Sequence, residues 1–135
     1  MEKHAKGTFE VKVVPVESSA IAQQAGVGRM TIDKVFSGAL EGSSKGEMLT
    51  GTTESTGSMA YVAMERVTGK LDGRSGSFVL MHNATMLRSN PSAGELNIAV
   101  VPASGTGELE GLTGKMKIII DSAGKHTYDL EYTLP

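Results

Sequence analysis

The sequence predicts an all-β protein, and we expect a small closed or nearly closed antiparallel barrel of about eight strands. Segments in which apolar and polar residues alternate recur along the whole chain, as in strands with one buried face. The 17 glycines lie mainly at the ends of these segments, which is typical of many strands joined by tight turns. A two-sheet sandwich is the alternative arrangement of the same strands.

The alternation predicts strands at residues 8–16, 31–40, 47–53, 59–71, 74–87, 96–101 (which could continue through 108), 115–121 and 126–134. One segment, residues 18–25 (SSAIAQQA), is predicted to be helical, with Ser18 or Ser19 as its N-cap. No repeat or low-complexity linker divides the 135 residues. We therefore expect residues 1–135 to form a single β-barrel domain.

Charge and composition exclude several classes of function. The net charge of −2 is not the clustered positive charge expected of a nucleic-acid-binding protein. There is no cysteine, so disulfides and thiolate metal sites are excluded. No histidine spacing such as H-x-H or H-E-x-x-H is present, and we predict neither a metal site nor another cofactor. The N-terminus lacks a signal-peptide pattern and no stretch suits a membrane span, which favours a cytoplasmic protein.

The dipeptide Asp72-Gly73 fixes the register of a long hairpin, because Asp-Gly is a strong signal for a two-residue type I′ turn. Leu71 should then face Arg74, and Ala63 should face His82. One face of this hairpin is largely apolar and is assigned to the barrel interior. It carries Tyr61, Ala63, Glu65, Val67, Leu71, Phe78, Leu80, His82, Ala84 and Met86.

Two ionisable side chains, Glu65 and His82, are diagonal neighbours on this interior face, close enough for their side chains to meet. They are the candidate catalytic residues, since a carboxylate and an imidazole in one apolar cavity can transfer protons near neutral pH. The alternative is a satisfied buried pair that holds two strands in register. Either interpretation requires partners for the two groups, because unpaired buried charge is very costly.

Two further hairpins extend the predicted interior. In the last one, a three-residue loop with Gly124 left-handed places Ile120 opposite His126 and Ile118 opposite Tyr128. In an earlier hairpin, a turn at residues 42–43 would place Gly38 opposite Glu47 and Phe36 opposite Leu49, with Glu47 inside the barrel. The predicted ligand-binding side chains are Tyr61, Glu47, Phe78, Met86, Tyr128 and Tyr132. The alternative for each tyrosine is a core ring whose hydroxyl bonds to backbone.

Five stretches carry a family resemblance: YVAMERVTGKLDGRSGSFVLMHNATM, VVPASGTGELEGLTGKM and KHTYDLEYTLP, with GTFEVKV and FSGALEGSSKGEML upstream. They resemble a bacterial family, the domain-of-unknown-function family 3224. The resemblance covers almost the whole chain and implies a barrel with a central cavity, similar to allene oxide cyclases and other calycin-like proteins. It implies no activity, and no catalytic residue is transferred from the cyclases, since fold does not carry function.

A second apolar face lies on the predicted outside of the long hairpin, at Val62, Met64, Val79 and Met81. Exposed apolar patches indicate partner surfaces, and we expect a homo-oligomer, with a two-fold dimer favoured. The alternative is that residues 17–30 pack across this face and cover it.

The sequence thus leaves three functions open. The first is binding of a small apolar or amphipathic molecule in the barrel cavity. The second is a cyclase or isomerase that uses Glu65 and His82 as general acid and base. The third is a structural or assembly protein whose core is filled by Met59, Phe78, Met86 and Met116.

Overall fold

The computed structural model describes residues 2–52, 58–87 and 94–135. These residues form one closed barrel of antiparallel strands in chain order, with β8 paired to β1. The all-β barrel prediction is therefore confirmed. The elements are β1 (Lys3–Val16), α1 (Ala20–Gln24), β2 (Val27–Gly38), β3 (Leu40–Thr52), β4 (Met59–Leu71), β5 (Arg74–Met86), β6 (Glu95–Val100), a 3-10 helix (Gly107–Leu109), β7 (Thr113–Ile120) and β8 (His126–Thr133).

The β4–β5 and β7–β8 hairpins have the predicted registers. Asp72 and Gly73 both have positive φ (49° and 84°), as a type I′ turn requires, and Ala63 faces His82. Gly124 is left-handed and Ile120 faces His126. The turn residues predicted both registers because a two- or three-residue loop leaves little freedom in strand pairing.

The predicted register of the β2–β3 hairpin is wrong. The turn is centred on Ala39, and Phe36 faces Gly42 rather than Leu49. Gly42 lies inside β3 opposite Gly69, where a Cβ atom would meet the Thr68 carbonyl oxygen at 2.3 Å. This glycine therefore permits a close approach of two strands and does not form a turn. The predicted pairing of β3 with β2 is displaced by an odd number of residues. Every side chain of β3 therefore faces the opposite side of the sheet from the one predicted.

The ends of several strands also differ from the prediction. β1 begins at Lys3 instead of residue 8, and β2 and β3 both begin earlier than predicted. β6 ends at Val100, so its continuation through residue 108 is wrong. The chain instead follows the edge of β5, where the Ser104 hydroxyl accepts a hydrogen bond from the Val79 backbone N–H (3.0 Å).

The single predicted helix is confirmed as α1. Its N-cap is Ser19, whose hydroxyl oxygen accepts a hydrogen bond from the Ala22 N–H at 3.2 Å. The helix packs on β2 and leaves the outer face of the β4–β5 hairpin uncovered. Val62, Met64 and Met81 are each about half exposed there. The alternative that residues 17–30 cover this face is therefore wrong.

The two ends of the barrel are packed differently. The end with the β2–β3 and β4–β5 turns, which we call the closed end, is filled by side chains of the strands and of residues 109–112. Its fully buried members are Leu40, Val67, Leu71, Leu109, Leu112 and Leu130. The opposite end, with the β1–β2 and β7–β8 connections, is called the open end and contains a cavity. None of the described helices is long and apolar enough to cross a membrane.

Candidate functional site

Three ionisable side chains lie together inside the barrel, between the packed closed end and the cavity. They are Lys34 of β2, Glu65 of β4 and His82 of β5, and they are 5%, 1% and 3% exposed. Charged side chains are almost never buried this completely unless they are paired. The predicted inward placement of Glu65 and His82 is confirmed, and Lys34 joins them.

A single carboxylate oxygen holds the group together. Glu65 Oε2 lies 3.0 Å from Lys34 Nζ and 2.9 Å from His82 Nε2, although both contacts are too bent to be good hydrogen bonds. Glu65 Oε1 has no hydrogen-bond partner among the described residues. Lys34 Nζ also lies 5.0 Å from the centre of the Phe9 ring, within the range of a cation–π contact. We call Lys34, Glu65 and His82 the polar triad.

Lys34 was missed by the sequence analysis. It lies between Ile32 and Phe36 on one strand, and all three side chains are buried. Because successive side chains of a strand alternate between faces, the inward position of Phe36 implies an inward Lys34. The alternation of side chains along this strand was therefore the signal that could have identified Lys34. It is easily overlooked because the neighbouring inward residues are apolar.

The backbone around Glu65 is unusually close to its neighbour strand. Gly46 of β3 is paired with Glu65, and a Cβ atom at Gly46 would lie 2.7 Å from the Glu65 Cα atom. Only glycine allows this approach. Ser44, two residues away and directly opposite Lys34, is also buried, and its hydroxyl has no hydrogen-bond partner among the described residues.

Opposing influences act on the pKa of Glu65. Burial raises this pKa, whereas the contact with His82 and the positive charge of Lys34 together lower it by more. The pKa of Glu65 therefore lies below its ordinary value, and the side chain is a carboxylate at neutral pH. Burial, together with the charge of Glu65, raises the pKa of the nearby Tyr61 hydroxyl.

The cavity at the open end has a volume of about 180 Å³. Among the described residues, its polar lining consists of Lys34, Tyr61, His82 and His126. The remaining lining is apolar: Phe9, Val11, Val13, Ile32, Met48, Leu96, Ile118 and Ile120. Glu65 does not line the cavity, and it contacts Lys34 and His82 from behind. Two of the three triad members can therefore touch a bound molecule directly.

Several residues predicted to bind a ligand lie elsewhere. Glu47 faces outward, contrary to the prediction, because of the corrected β3 register, and its carboxylate pairs with Arg29 at 2.7 Å. Met86 has its predicted register on β5, but its side chain is about half exposed near the end of the strand and does not line the cavity. Phe78 is buried in the packed core, away from the cavity.

Two of the three tyrosines form hydrogen bonds at the closed end of the barrel. The Tyr128 hydroxyl accepts a hydrogen bond from the Leu40 N–H and donates to the Ser37 carbonyl oxygen, both at 2.9 Å. The Tyr132 hydroxyl donates to the Asp72 carboxylate. Burial and this acidic partner raise the pKa of Tyr132 to about 12. Of the six residues predicted to bind a ligand, Tyr61 alone lines the cavity.

A comparison with protein families identifies the relationship of this chain. The family model described as a protein of unknown function (DUF3224) matches residues 5–132. The chain belongs to the DUF3224 family. The resemblance seen in the sequence is thereby confirmed, whereas its likeness to allene oxide cyclases stays a prediction. No curated protein matches the chain at a significant level.

A solved DUF3224 structure supports the fold. It is the crystal structure of a protein with unknown function from this family in Shewanella oneidensis MR-1. That protein is 43% identical to this chain, and the alignment covers 100% of this chain and 98% of the other, with a TM-score of 0.87. DUF3224 membership thus gives the barrel and no activity.

Proposed function

We propose that this DUF3224 protein binds a small, largely apolar molecule in the cavity at the open end of its barrel. The observation that carries this proposal is the composition of the cavity. An apolar wall surrounds two buried polar side chains, Lys34 and His82, and one end of the cavity is accessible. Apolar clefts with a few convergent polar groups are the usual form of small-molecule sites.

The size of the cavity limits the ligand. Its volume of about 180 Å³ slightly exceeds an apolar cavity of ~150 Å³ that is known to admit benzene. A monosubstituted benzene ring is therefore the size of molecule that the described part of the cavity accommodates. Tyr61 and His126 also line the cavity wall, where they offer further polar contacts to the ligand beside its apolar part.

Toluene is a suitable probe, followed by methyl NMR. We expect its addition to shift the methyl signals of Ile118 and Leu96, which line the cavity, in a saturable manner. Val11→Phe fills part of the cavity and should abolish the shifts. Val35→Phe makes the same change on the outer face of β2 and should leave them intact. If wild type shows no saturable shift, or if Val11→Phe retains it, the proposal is wrong.

A cyclase or isomerase that uses Glu65 and His82 is the second candidate function. It is favoured by the 2.9 Å contact between imidazole and carboxylate at the edge of the cavity. Because Glu65 lies behind His82, only the imidazole would exchange a proton with substrate, and Glu65 would position the ring and balance its charge.

Proton exchange on a carbonyl probe tests this second function. The enzyme should catalyse deuterium uptake from D₂O into the methyl group of acetophenone, measured by proton NMR. His82→Gln should abolish the catalysed exchange. His4→Gln should not, because His4 lies on the exposed surface beside Asp129. A wild-type rate equal to that of buffer would count against catalysis of this kind.

The third function, a structural protein with a filled core, rests on four side chains. Phe78 and Met116 are buried, as that hypothesis requires, whereas Met59 is half-buried and Met86 is exposed. A filled core therefore describes the closed end only. The cytoplasmic location remains a prediction from the sequence.

A further inference from the structure

The charges around the cavity select among the apolar ligands that could enter it. Lysine has three N–H donors and no acceptor, and Lys34 directs its ammonium group to one oxygen of Glu65. Among the described residues, no protein acceptor forms a well-directed hydrogen bond with the Lys34 ammonium group. No Asp or Glu is present among the described residues that line the cavity. The side of the polar triad that faces the cavity therefore presents the ammonium group and the positive charge of Lys34, and the negative charge of Glu65 lies behind it.

An anionic group would disturb the charge balance of the triad. The charges of Lys34 and Glu65 cancel, so a bound anion leaves one negative charge in a region of low dielectric, which is costly. His82 contacts the same carboxylate oxygen and lines the cavity. An imidazole is the side chain that takes up a proton most readily near neutral pH. Protonation of His82 would restore the balance.

The groups that face His82 agree with this role. Glu65 and Tyr61 face it from β4, Lys34 from β2, and His126 lies across the cavity on β8. Among the described residues that face His82, Glu65 is the only acidic side chain, and the charge of Lys34 balances it. A bound anion adds one negative charge to this balanced pair, and one proton on His82 would offset it. Anion and proton therefore stabilise one another in this site.

We infer that the ligand is a small apolar molecule with one anionic group, such as an aromatic or short aliphatic carboxylate, and that it enters together with one proton. This inference rests on the proposed function. Lys34 and His82 bind the anionic group at the floor of the cavity. The apolar body lies against Val11, Ile118 and the other aliphatic side chains of the wall.

Three isosteric probes separate charge from shape. Benzoate, nitrobenzene and benzamidinium carry charges of −1, 0 and +1 on nearly the same framework. By isothermal titration calorimetry, we expect benzoate to bind at least tenfold more tightly than nitrobenzene, a difference of about 1.4 kcal/mol or more. Benzamidinium should show no binding. Titrations at about pH 8, in two buffers with different heats of ionisation, should show uptake of about one proton with benzoate.

A double variant tests the triad without leaving one charge unpaired. Lys34→Met with Glu65→Gln removes both members of the buried pair, and such replacements are often tolerated by the fold. This variant should lose the preference for benzoate over nitrobenzene. The matched control is Lys45→Met with Asp33→Asn, which removes an exposed pair (3.0 Å) on the outer face of β2 and β3. The control should keep the full preference.

The outcomes distinguish this inference from the function on which it rests. If nitrobenzene binds as tightly as benzoate, or if benzoate binds without proton uptake, the inference is wrong while ligand binding stands. A preference for benzoate that survives in the Lys34→Met, Glu65→Gln variant also overturns it. If none of the three probes binds, both the inference and the proposed function fail.

Discussion

Glu65 is the residue that joins the polar triad into one unit. One of its oxygens contacts both the Lys34 ammonium and the His82 imidazole, and the side chain is fully enclosed. A buried pair of this kind stabilises a fold little compared with apolar packing, yet removal of one partner leaves an uncompensated charge. The consequences of substitution at this site therefore depend on which charges remain.

We predict that Glu65→Gln destabilises the protein by about 3–5 kcal/mol, because it leaves Lys34 buried without its counter-ion. The loss should be smaller when Lys34→Met is added, a coupling that a double-mutant cycle measures. Urea unfolding at neutral pH gives these free energies. Glu47→Gln, at an exposed ion pair, serves as the control and should change stability little. A Glu65→Gln variant as stable as wild type would contradict the buried ion pair.

The stability contributed by Glu65 should depend on pH. Its pKa in the folded protein lies below the ordinary value of 4.5. The contribution is therefore complete above that ordinary value, and it is lost as the pH falls through the lower, folded-state pKa. We expect the difference in unfolding free energy between wild type and Glu65→Gln to narrow on acidification. A difference that stays constant from neutral pH to pH ~3 would contradict the lowered pKa.

The strands and turns at the closed end are joined by side-chain hydrogen bonds as well as by apolar packing. Tyr128 of β8 bonds to backbone groups on either side of the β2–β3 turn, and Tyr132 bonds to Asp72 in the β4–β5 turn. Two distant turns are thus tied to the last strand. Among the described residues, β6 and β7 share a single paired position, Ala99 with Lys115, which makes this the weakest seam of the barrel.

We predict that Tyr128→Phe costs about 1–3 kcal/mol of unfolding free energy, because the buried Leu40 N–H loses its acceptor. Thermal or urea unfolding measures the loss. The matched control is Tyr61→Phe, since the Tyr61 hydroxyl has no hydrogen-bond partner among the described residues. Equal effects of the two substitutions would show that the hydroxyl of Tyr128 contributes nothing specific.

In the whole molecule, closure of the barrel pairs each strand with its neighbours on both sides. Association between copies of the protein therefore depends on the side chains of its outer surface. The outer face of the β4–β5 hairpin exposes Val62, Met64 and Met81, with Val79 half-buried beside them. The homo-oligomer expected from this face stays a prediction.

We predict a dimer at micromolar concentration, measured by equilibrium sedimentation. Met64→Lys with Met81→Lys should convert it to monomer, because a close approach of two copies would bury the added charges. Val35→Lys, at an exposed position on β2, should leave the dimer unchanged. Wild-type protein that sediments only as a monomer would exclude this interface.

Local information was sufficient wherever a turn fixed a register. Asp72-Gly73 and the loop ending at Gly124 determined which side chains of four strands face inward, and thus the positions of Glu65 and His82. Such turns act over a few residues, so their chemistry is visible in the sequence. Membership of the DUF3224 family was also evident from the sequence, since the family model matches residues 5–132.

Only the tertiary structure decided the rest, because it depends on contacts between residues far apart in the chain. In the sequence alone, Gly42 resembles a turn residue. In the structure it lies against Gly69 on the neighbouring strand, and the resulting register directs Glu47 outward. Lys34 joins Glu65 and His82 only when β2, β4 and β5 enclose one space. The sequence by itself thus determined an all-β barrel with a carboxylate and an imidazole inside it. Closure of the barrel brings Lys34 against Glu65 and His82 and leaves the cavity at one end. Both depend on how all the strands pack together, which no short segment of the sequence specifies.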